Sequence, residues 1–568
     1  MEKQGKLELT WVGKYQDEKL EPRILIEDIT KSYGDSDTEN MLIHGNNLLA
    51  LKALEIKFSG IIKCIYIDPP YNTGAAFEFY DDNLEHSIWL SIMKRRLELL
   101  RGLLSEDGTI WIQIDDEEQA YLKILCDEIF GRSNFVNMIS VNMKNVAGAS
   151  GGGEDKRLKK NCEYILVYAK NYDLLPLFNG PYKYTEMSEL IQHYIDEGKS
   201  WKYTSVLVNA GEKQYIGSTV DGDGNEIKIY KRVGVETMSV NQVANRDGIT
   251  PKEAYKKYGI NVFRTTNAQT SIRTRIMDFR KENNIEDEYL SIEYIPRTGK
   301  NRGTVYEQFY KGDVCNLFVW LRDTSEIIDG ELYKKDLQGT YWDMNAWMKN
   351  LTKEGNVTFP NGKKPEKLIK QIIEMCTSEG DYVLDSFLGS GTTAATAHKL
   401  GRRWIGIEMG NQAFSHCKLR LDNVIDGEQG GISKEVDWQG GGGYKFYELA
   451  EPLLIKNDRL PIYQINPSYT WDMVCEAICK IEGFTYAPSG EFQGYSSENR
   501  FIHITEEFVN VKYVMSVMMN LGDNQSLIIY CKKNQADMNL PENVEVKKIP
   551  KDLLEKCNFD YKNEEAAE

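Results

Sequence analysis

One feature constrains the fold of this 568-residue chain above all others. A strand–helix rhythm starts at Met41, stops near Asn171 and resumes after Gln338. Met41-Leu42-Ile43 reads as a short strand and Gly45-Asn46-Asn47 as a turn. Leu48, Leu51, Leu54 and Phe58 then fall on one helical face. Residues 61–67 form a nearly continuous apolar run, the pattern of a strand buried on both faces. The spacing next predicts a helix over 88–104, a strand over 109–114, a helix over 117–130 and a strand over 164–169. After the interruption come a helix over 367–375, a strand over 382–384, a helix over 392–400 and a strand over 404–407. Strands alternating with helices imply an α/β fold with a doubly wound parallel sheet. The polar, aromatic stretch in the middle is then a large insertion in one sheet domain.

Gly440–Gly443 marks the end of that domain, and a smaller α/β unit with a charged tail follows Glu451. The expected organisation is an N-terminal segment (1–40), a first half of the sheet domain (41–175), the insertion (176–340), a second half (341–450) and a C-terminal domain (451–568).

Composition excludes some classes. With 41% apolar and 27% charged residues the chain is globular. It has no apolar run of the roughly 18 residues that a membrane helix needs. The polar N-terminus has no signal-peptide core, so a cytoplasmic location and no membrane partner are expected. Ten scattered cysteines without a Cys-x-x-Cys pair read as free thiols, and six dispersed histidines suggest no metal centre. Asp221-Gly222-Asp223-Gly224-Asn225 imitates the start of a calcium loop. Glu226 and Arg232 stand where that loop needs Gly and Glu, so a turn between two strands is expected. The net charge of −17 opposes non-specific nucleic acid binding. Basic clusters nevertheless occur at Lys94-Arg95-Arg96, Lys156–Lys160, Arg273 with Arg275, Arg280-Lys281 and Arg297–Arg302, and a local basic face matters more than the sum.

The chemistry concentrates in two motifs. Asp68-Pro69-Pro70-Tyr71 follows the apolar strand directly, at the strand end where open α/β sheets bind ligands. Two prolines stiffen the chain and remove two backbone donors, leaving carbonyl acceptors. Asp68 Oδ and the Pro69 carbonyl can accept both hydrogens of an aromatic amine, while Tyr71 offers a stacking face. Holding both hydrogens aims the nitrogen lone pair at an electrophile. The second motif, Asp385-Ser386-Phe387-Leu388-Gly389-Ser390-Gly391-Thr392-Thr393, joins a strand to a helix N-terminus. Glu408 closes the next strand, at the spacing of an acid that binds ribose hydroxyls. The motif has neither the third glycine of a dinucleotide fingerprint nor the Gly-Lys-Ser/Thr of a P-loop, so a nucleoside without phosphates fits better.

Together and in this order, the two motifs resemble amino-directed DNA methyltransferases of the β arrangement. The Leu42–Leu51 segment and Gly441-Gly442-Gly443-Tyr444-Lys445-Phe446-Tyr447 look most like the modification subunit of type III restriction-modification systems. The resemblance covers about 41–175 and 340–450. It implies a Rossmann-like methyltransferase sheet, an inserted target-recognition domain and methylation of adenine N6 from S-adenosylmethionine, with the base flipped out of double-stranded DNA. Carried over, Asp68, Pro69, Pro70 and Tyr71 form the adenine pocket. Asn46, Asp68, Asp385, Phe387, Gly389, Gly391 and Glu408 hold the cofactor, and Lys364-Pro365 precedes a helix flanking its methionine end. Many relatives have Asp at position 46, where the alternative is a plain turn residue. The resemblance also implies a homodimer and a helicase-nuclease restriction partner in a prokaryotic cell. Cytosine N4, RNA adenine or a protein glutamine amide remain alternative substrates. A sequence-recognition subunit with little activity alone is a further alternative. In the insertion, Tyr255, Lys256, Lys257, Arg264, Arg273, Arg275, Arg280, Arg297, Lys300 and Arg302 suit a DNA face, or solvated surface. The Gly148–Gly153 loop with Lys156–Lys160 either closes over DNA or is a plain exposed loop.

Overall fold

A computed structural model of the chain describes residues 8–16, 19–72, 85–143, 160–180, 182–296, 302–328, 330–349, 351–359, 362–457, 459–497 and 499–560. The Gly148–Gly153 loop, Lys156–Lys159, Arg297 and Lys300 lie outside them. The chain divides into two compact units, residues 1–179 with 339–568, and residues 180–338.

The first unit is built on a long mixed sheet. Its strands run in the order Leu25–Glu27, Gly443–Leu449, Met41–His44, Arg403–Glu408, Tyr382–Asp385, Ile62–Ile67, Leu104–Ile114, Cys162–Ala169, Phe135–Asn142, Tyr341–Asp343. The six strands from Gly443–Leu449 to Leu104–Ile114 are parallel. Helices Asn47–Phe58 and His86–Leu103 bury Leu51, Leu54, Met93 and Leu97 in one apolar core. Helices Glu366–Cys376 and Thr392–Lys399 bury Leu368, Ile372 and Ala395 in another. The alternating pattern read from the sequence is thus a doubly wound sheet. One strand departs from the parallel expectation: Cys162–Ala169 pairs antiparallel with Leu104–Ile114. The reason is the unforeseen strand Phe135–Asn142, which forms an antiparallel pair with it and returns the chain in the opposite sense.

The chain reverses its direction of travel across the sheet between Ile62–Ile67 and Tyr382–Asp385. From the former it proceeds to Leu104–Ile114 on one side, and from the latter to Arg403–Glu408 on the other. Crevices at the carboxyl ends of such neighbouring strands are where open α/β sheets bind ligands.

The C-terminal part forms its own five-stranded sheet, from Thr485–Ser489 to Val544–Lys548. The N-terminal segment stitches it in place: Leu453 N donates to Glu21 Oε1 at 2.8 Å, and Ile24 shares a core with Ile478 and Tyr530.

The second unit carries an eight-stranded sheet whose neighbours are all antiparallel, and a three-stranded one. Phe263 stacks on Phe318 at 3.9 Å within its core. Asp221 to Asn225 is the turn between antiparallel strands Glu212–Val220 and Glu226–Val233, with Asp221 Oδ1 accepting from the Asp223 and Asn225 amides.

Candidate active site

The strand Ile62–Ile67 is buried from Cys64 onward because sheet neighbours and helices cover it, and Asp68, the first carboxylate after that run, emerges at its carboxyl end. The prolines then turn the chain. Trp89 Nε1 donates to the Pro70 carbonyl at 2.9 Å and pins the turn to helix His86–Leu103.

Asp68 stands in a cluster of charges. Lys364 Nζ lies 2.6 Å from its Oδ2 and 3.6 Å from Glu163 Oε2. The Tyr71 hydroxyl lies 2.7 Å from Asp68 Oδ1 and 2.9 Å from Glu163 Oε2. Behind Glu163, Gln113 Nε2 donates to the same Oε2, and the Tyr66 hydroxyl donates to Gln113 Oε1 at 2.6 Å. Burial pushes the Asp68 carboxyl above its ordinary value, against the opposing pull of Lys364. Burial works to lower Lys364, but the two carboxylates outweigh it and hold the ammonium charged. Lys364 also sits 5.1 Å from the centre of the Tyr71 ring. It therefore covers both places that an aromatic amine would use: the carboxylate and the ring face.

The second motif lies at the end of the adjacent strand. Asp385 Oδ1 accepts from Phe387 N at 2.9 Å and Oδ2 from Thr393 Oγ1 at 2.6 Å, which folds the glycine loop back onto its strand. Burial pushes the Asp385 carboxyl up to about 7. Gly389 and Gly391 have φ of 57° and 80°, the left-handed region that favours glycine. A Cβ on Gly391 would also stand 3.3 Å from the Cys417 backbone. Glu408 braces the loop: its Oε2 accepts from Gly389 N at 2.7 Å, and Oε1 from Gly410 N and Gln412 Nε2. Phe387 packs against the core beside the Asp385 strand.

Asn46 is fully buried. Its Oδ1 caps helix Asn47–Phe58 by accepting from Leu48 N, at a φ of −56°, outside the left-handed region. Asn47 Nδ2 donates to the Ser386 carbonyl at 2.8 Å and ties this turn to the glycine loop. Asn46 Nδ2 and Ser386 Oγ are both buried without a hydrogen-bond partner. Two orphaned polar atoms in joined strand-end loops, beside a helix N-terminus and an acid, fit a polar nucleoside ligand.

Beneath the loop runs a buried ionic network. Arg420 Nη1 donates to Thr392 Oγ1 at 2.8 Å, and Nη2 pairs with Glu366 at 2.7 Å and Glu354 at 3.1 Å. Lys399 pairs with Glu366 at 2.9 Å and with Glu428. Glu366 is two residues after Lys364, so one network anchors both the lysine and the glycine loop.

All the predicted site residues of the sheet domain thus cluster at the carboxyl ends of four adjacent parallel strands, Met41–His44, Arg403–Glu408, Tyr382–Asp385 and Ile62–Ile67. Glu163 and Gln113 were missed. Their only signal is a polar residue between apolar neighbours, Gln113 between Ile112 and Ile114 and Glu163 between Cys162 and Tyr164. Several cations of the insertion have other tasks. Arg273 is buried and donates to the Val314 and Cys315 carbonyls, and Arg280 is buried against Asp287 O and Asp313. The buried Tyr255 hydroxyl donates to Tyr203 O. Lys256 and Lys257 pair with Glu331 and Asp247. Lys160 pairs with Asp115, Asp116 and Glu117.

A DNA methylase family model (N6_N4_Mtase) matches residues 62–418, well over half of the chain. The chain belongs to the DNA methylase family. It is 45% identical to the probable type III restriction-modification enzyme HindVI Mod subunit of Haemophilus influenzae, over 75% of this chain and 56% of that protein. It is 28% identical to the EcoPI Mod subunit of Escherichia phage P1, over 74% of this chain and 64% of that one. The EcoP15I Mod subunit of Escherichia coli is also 28% identical, over 81% and 71%. The chain spans little more than half the length of the HindVI relative. Among the described residues, no helix is long and apolar enough to cross a membrane.

Proposed function

We propose that this chain is a site-specific DNA adenine N6-methyltransferase using S-adenosylmethionine, and the modification and specificity subunit of a restriction-modification system. The observation that carries the reading is the meeting of Asp68 and the Gly389–Gly391 loop at the ends of two adjacent parallel strands. A target held by the first lies next to a nucleoside held by the second. S-adenosylmethionine, when bound, supplies an electrophilic methyl group.

The chain's own residues do the rest. Asp68 Oδ and the Pro69 carbonyl accept the two amine hydrogens and orient the nitrogen lone pair. Tyr71 stacks on the base, which must leave the duplex to reach it. Asp385, Glu408, Asn46 and the glycine loop hold the cofactor, with Phe387 packed alongside. Asp before Pro-Pro-Tyr favours adenine by family analogy. Residues 180–338 would read the DNA sequence. The likeness to type III Mod subunits supports a Mod role acting with a restriction subunit, in the cytoplasm where prokaryotic DNA lies. Phe508, Met515 and Met519 are exposed apolar residues of the C-terminal sheet domain and support it as the surface for a homodimer or a partner.

The test is long-read sequencing, with modified-base detection, of DNA from a methylation-deficient host expressing the chain or its Asp68→Ala variant. One motif carrying N6-methyladenine with the intact chain alone is the expected result. N4-methylcytosine would reassign the target. No modified motif, together with no cofactor binding by titration, would overturn the reading.

A further inference from the structure

The Tyr71 hydroxyl has one hydrogen and two carboxylate neighbours, Asp68 Oδ1 at 2.7 Å and Glu163 Oε2 at 2.9 Å. It can donate to one of them only, so the other contact is favourable when a second proton is present. Asp68–Tyr71–Glu163 is therefore a site built to hold and pass a proton. Methylation of an amine releases one. The nitrogen lone pair forms the N–CH3 bond, the S–CH3 bond breaks with its electrons left on sulfur, and the nitrogen then sheds a hydrogen.

The geometry points to Glu163 as a positioning residue that takes this proton through Tyr71. This rests on the methyltransferase reading above. Asp68 accepts the proton from the amine. The Tyr71 oxygen takes it from Asp68 as the hydroxyl passes its own hydrogen to Glu163. The phenol is never ionised, in keeping with a burial that strongly opposes its ionisation. Glu163 is the more exposed end of the chain, with 24% of its side chain accessible against 18% for Asp68, so the proton leaves to solvent from there. Gln113 Nε2 holds the receiving Oε2 in place, and Tyr66 holds Gln113. Lys364, 3.6 Å from Glu163, keeps two like charges tolerable in one pocket.

The experiment is single-turnover methylation of a duplex carrying the motif found by sequencing, across pH 5.5–9, with wild type, Glu163→Gln, Tyr71→Phe and the double variant. Glu163→Gln should bind cofactor and melt like wild type, yet transfer methyl about 10- to 100-fold more slowly at pH 7. Its acid limb should move to lower pH, because the neighbouring negative charge that raises Asp68 is gone. In the Tyr71→Phe background the same change should alter the rate by no more than about twofold, because the link is already cut. A Glu163→Gln rate and pH profile matching wild type would overturn the inference. So would a slower rate with an unmoved profile, which marks a purely structural role. If Glu163→Gln does not fold, Glu163→Asp, which keeps the charge but draws the carboxylate back from Tyr71, should slow transfer in the wild-type background and not in Tyr71→Phe; equal slowing in both backgrounds, or a wild-type rate, would overturn the inference. An inactive wild type would instead count against the methyltransferase reading itself.

Discussion

Lys364 Nζ stands 2.6 Å from Asp68 Oδ2, so the carboxylate offered to a substrate amine is already held by a cation of the same chain. With 8% of its side chain accessible, Lys364 loses much of its hydration and needs that partner. Lys364→Met leaves Asp68 half-buried with its charge uncompensated. The variant should lose about 3 kcal/mol of stability at pH 8, and less at pH 5, because the raised Asp68 carboxyl is more readily protonated as pH falls. Urea unfolding at the two pH values checks this, and equal losses would contradict it.

Asp385 sets a second pH dependence. Its folded value of about 7 lies above the ordinary 3.8, so between these values the folded chain holds one proton more than the unfolded chain. Stability from this group is full below pH 4, falls by up to ~4 kcal/mol as pH rises through 7, and then levels off. Asp385→Asn, neutral throughout, should flatten that slope and melt higher than wild type at pH 8. Calorimetry at pH 5, 6, 7 and 8 measures it.

Glu408 accepts from Gly389, Gly410 and Gln412 at once. Glu408→Gln replaces one charged acceptor oxygen with a donor that faces other donors. S-adenosylmethionine affinity should fall about 10- to 100-fold, the loss expected for charge-assisted hydrogen bonds of 1.5–3 kcal/mol. Isothermal titration decides, and unchanged affinity would remove Glu408 from the proposed cofactor site.

Arg420 is wholly buried between Glu354 and Glu366. Arg420→Met strands the Glu354 carboxylate and leaves Glu366 with Lys399 alone, and should cost about 3–5 kcal/mol, seen as a lower urea midpoint. Lys399→Met should be similarly costly. The double variant should cost more than the sum, because only then does Glu366 lose both of its cations.

The sheet and both motifs were legible because their signals are local. An apolar strand, a stiff Asp-Pro-Pro-Tyr turn and a glycine loop before a helix each sit within a few residues. What escaped depends on register. Glu163 meets Tyr71 only because Cys162–Ala169 runs antiparallel, placing the strand's start at the end where its parallel neighbours finish. No short window around Glu163 contains that information. Asn46 was read either as a cofactor contact or as a turn. Its oxygen is the helix cap, a task shared by many asparagines before helices and visible only with the backbone angle. In the insertion, Arg273 and Arg280 looked like surface cations because a guanidinium gives no sign that carbonyls will surround it.

The strand before Asp68 has its neighbour Tyr382–Asp385 on the far side of the insertion in the sequence. On the ribosome, therefore, the half carrying Asp68 is made long before the half carrying the Gly389–Gly391 loop. Until residue 408 has left the exit tunnel, the nascent chain presents an unpaired strand edge and no complete donor pocket. A message broken anywhere within the insertion yields a product with the Asp68 turn and without the Gly389–Gly391 loop.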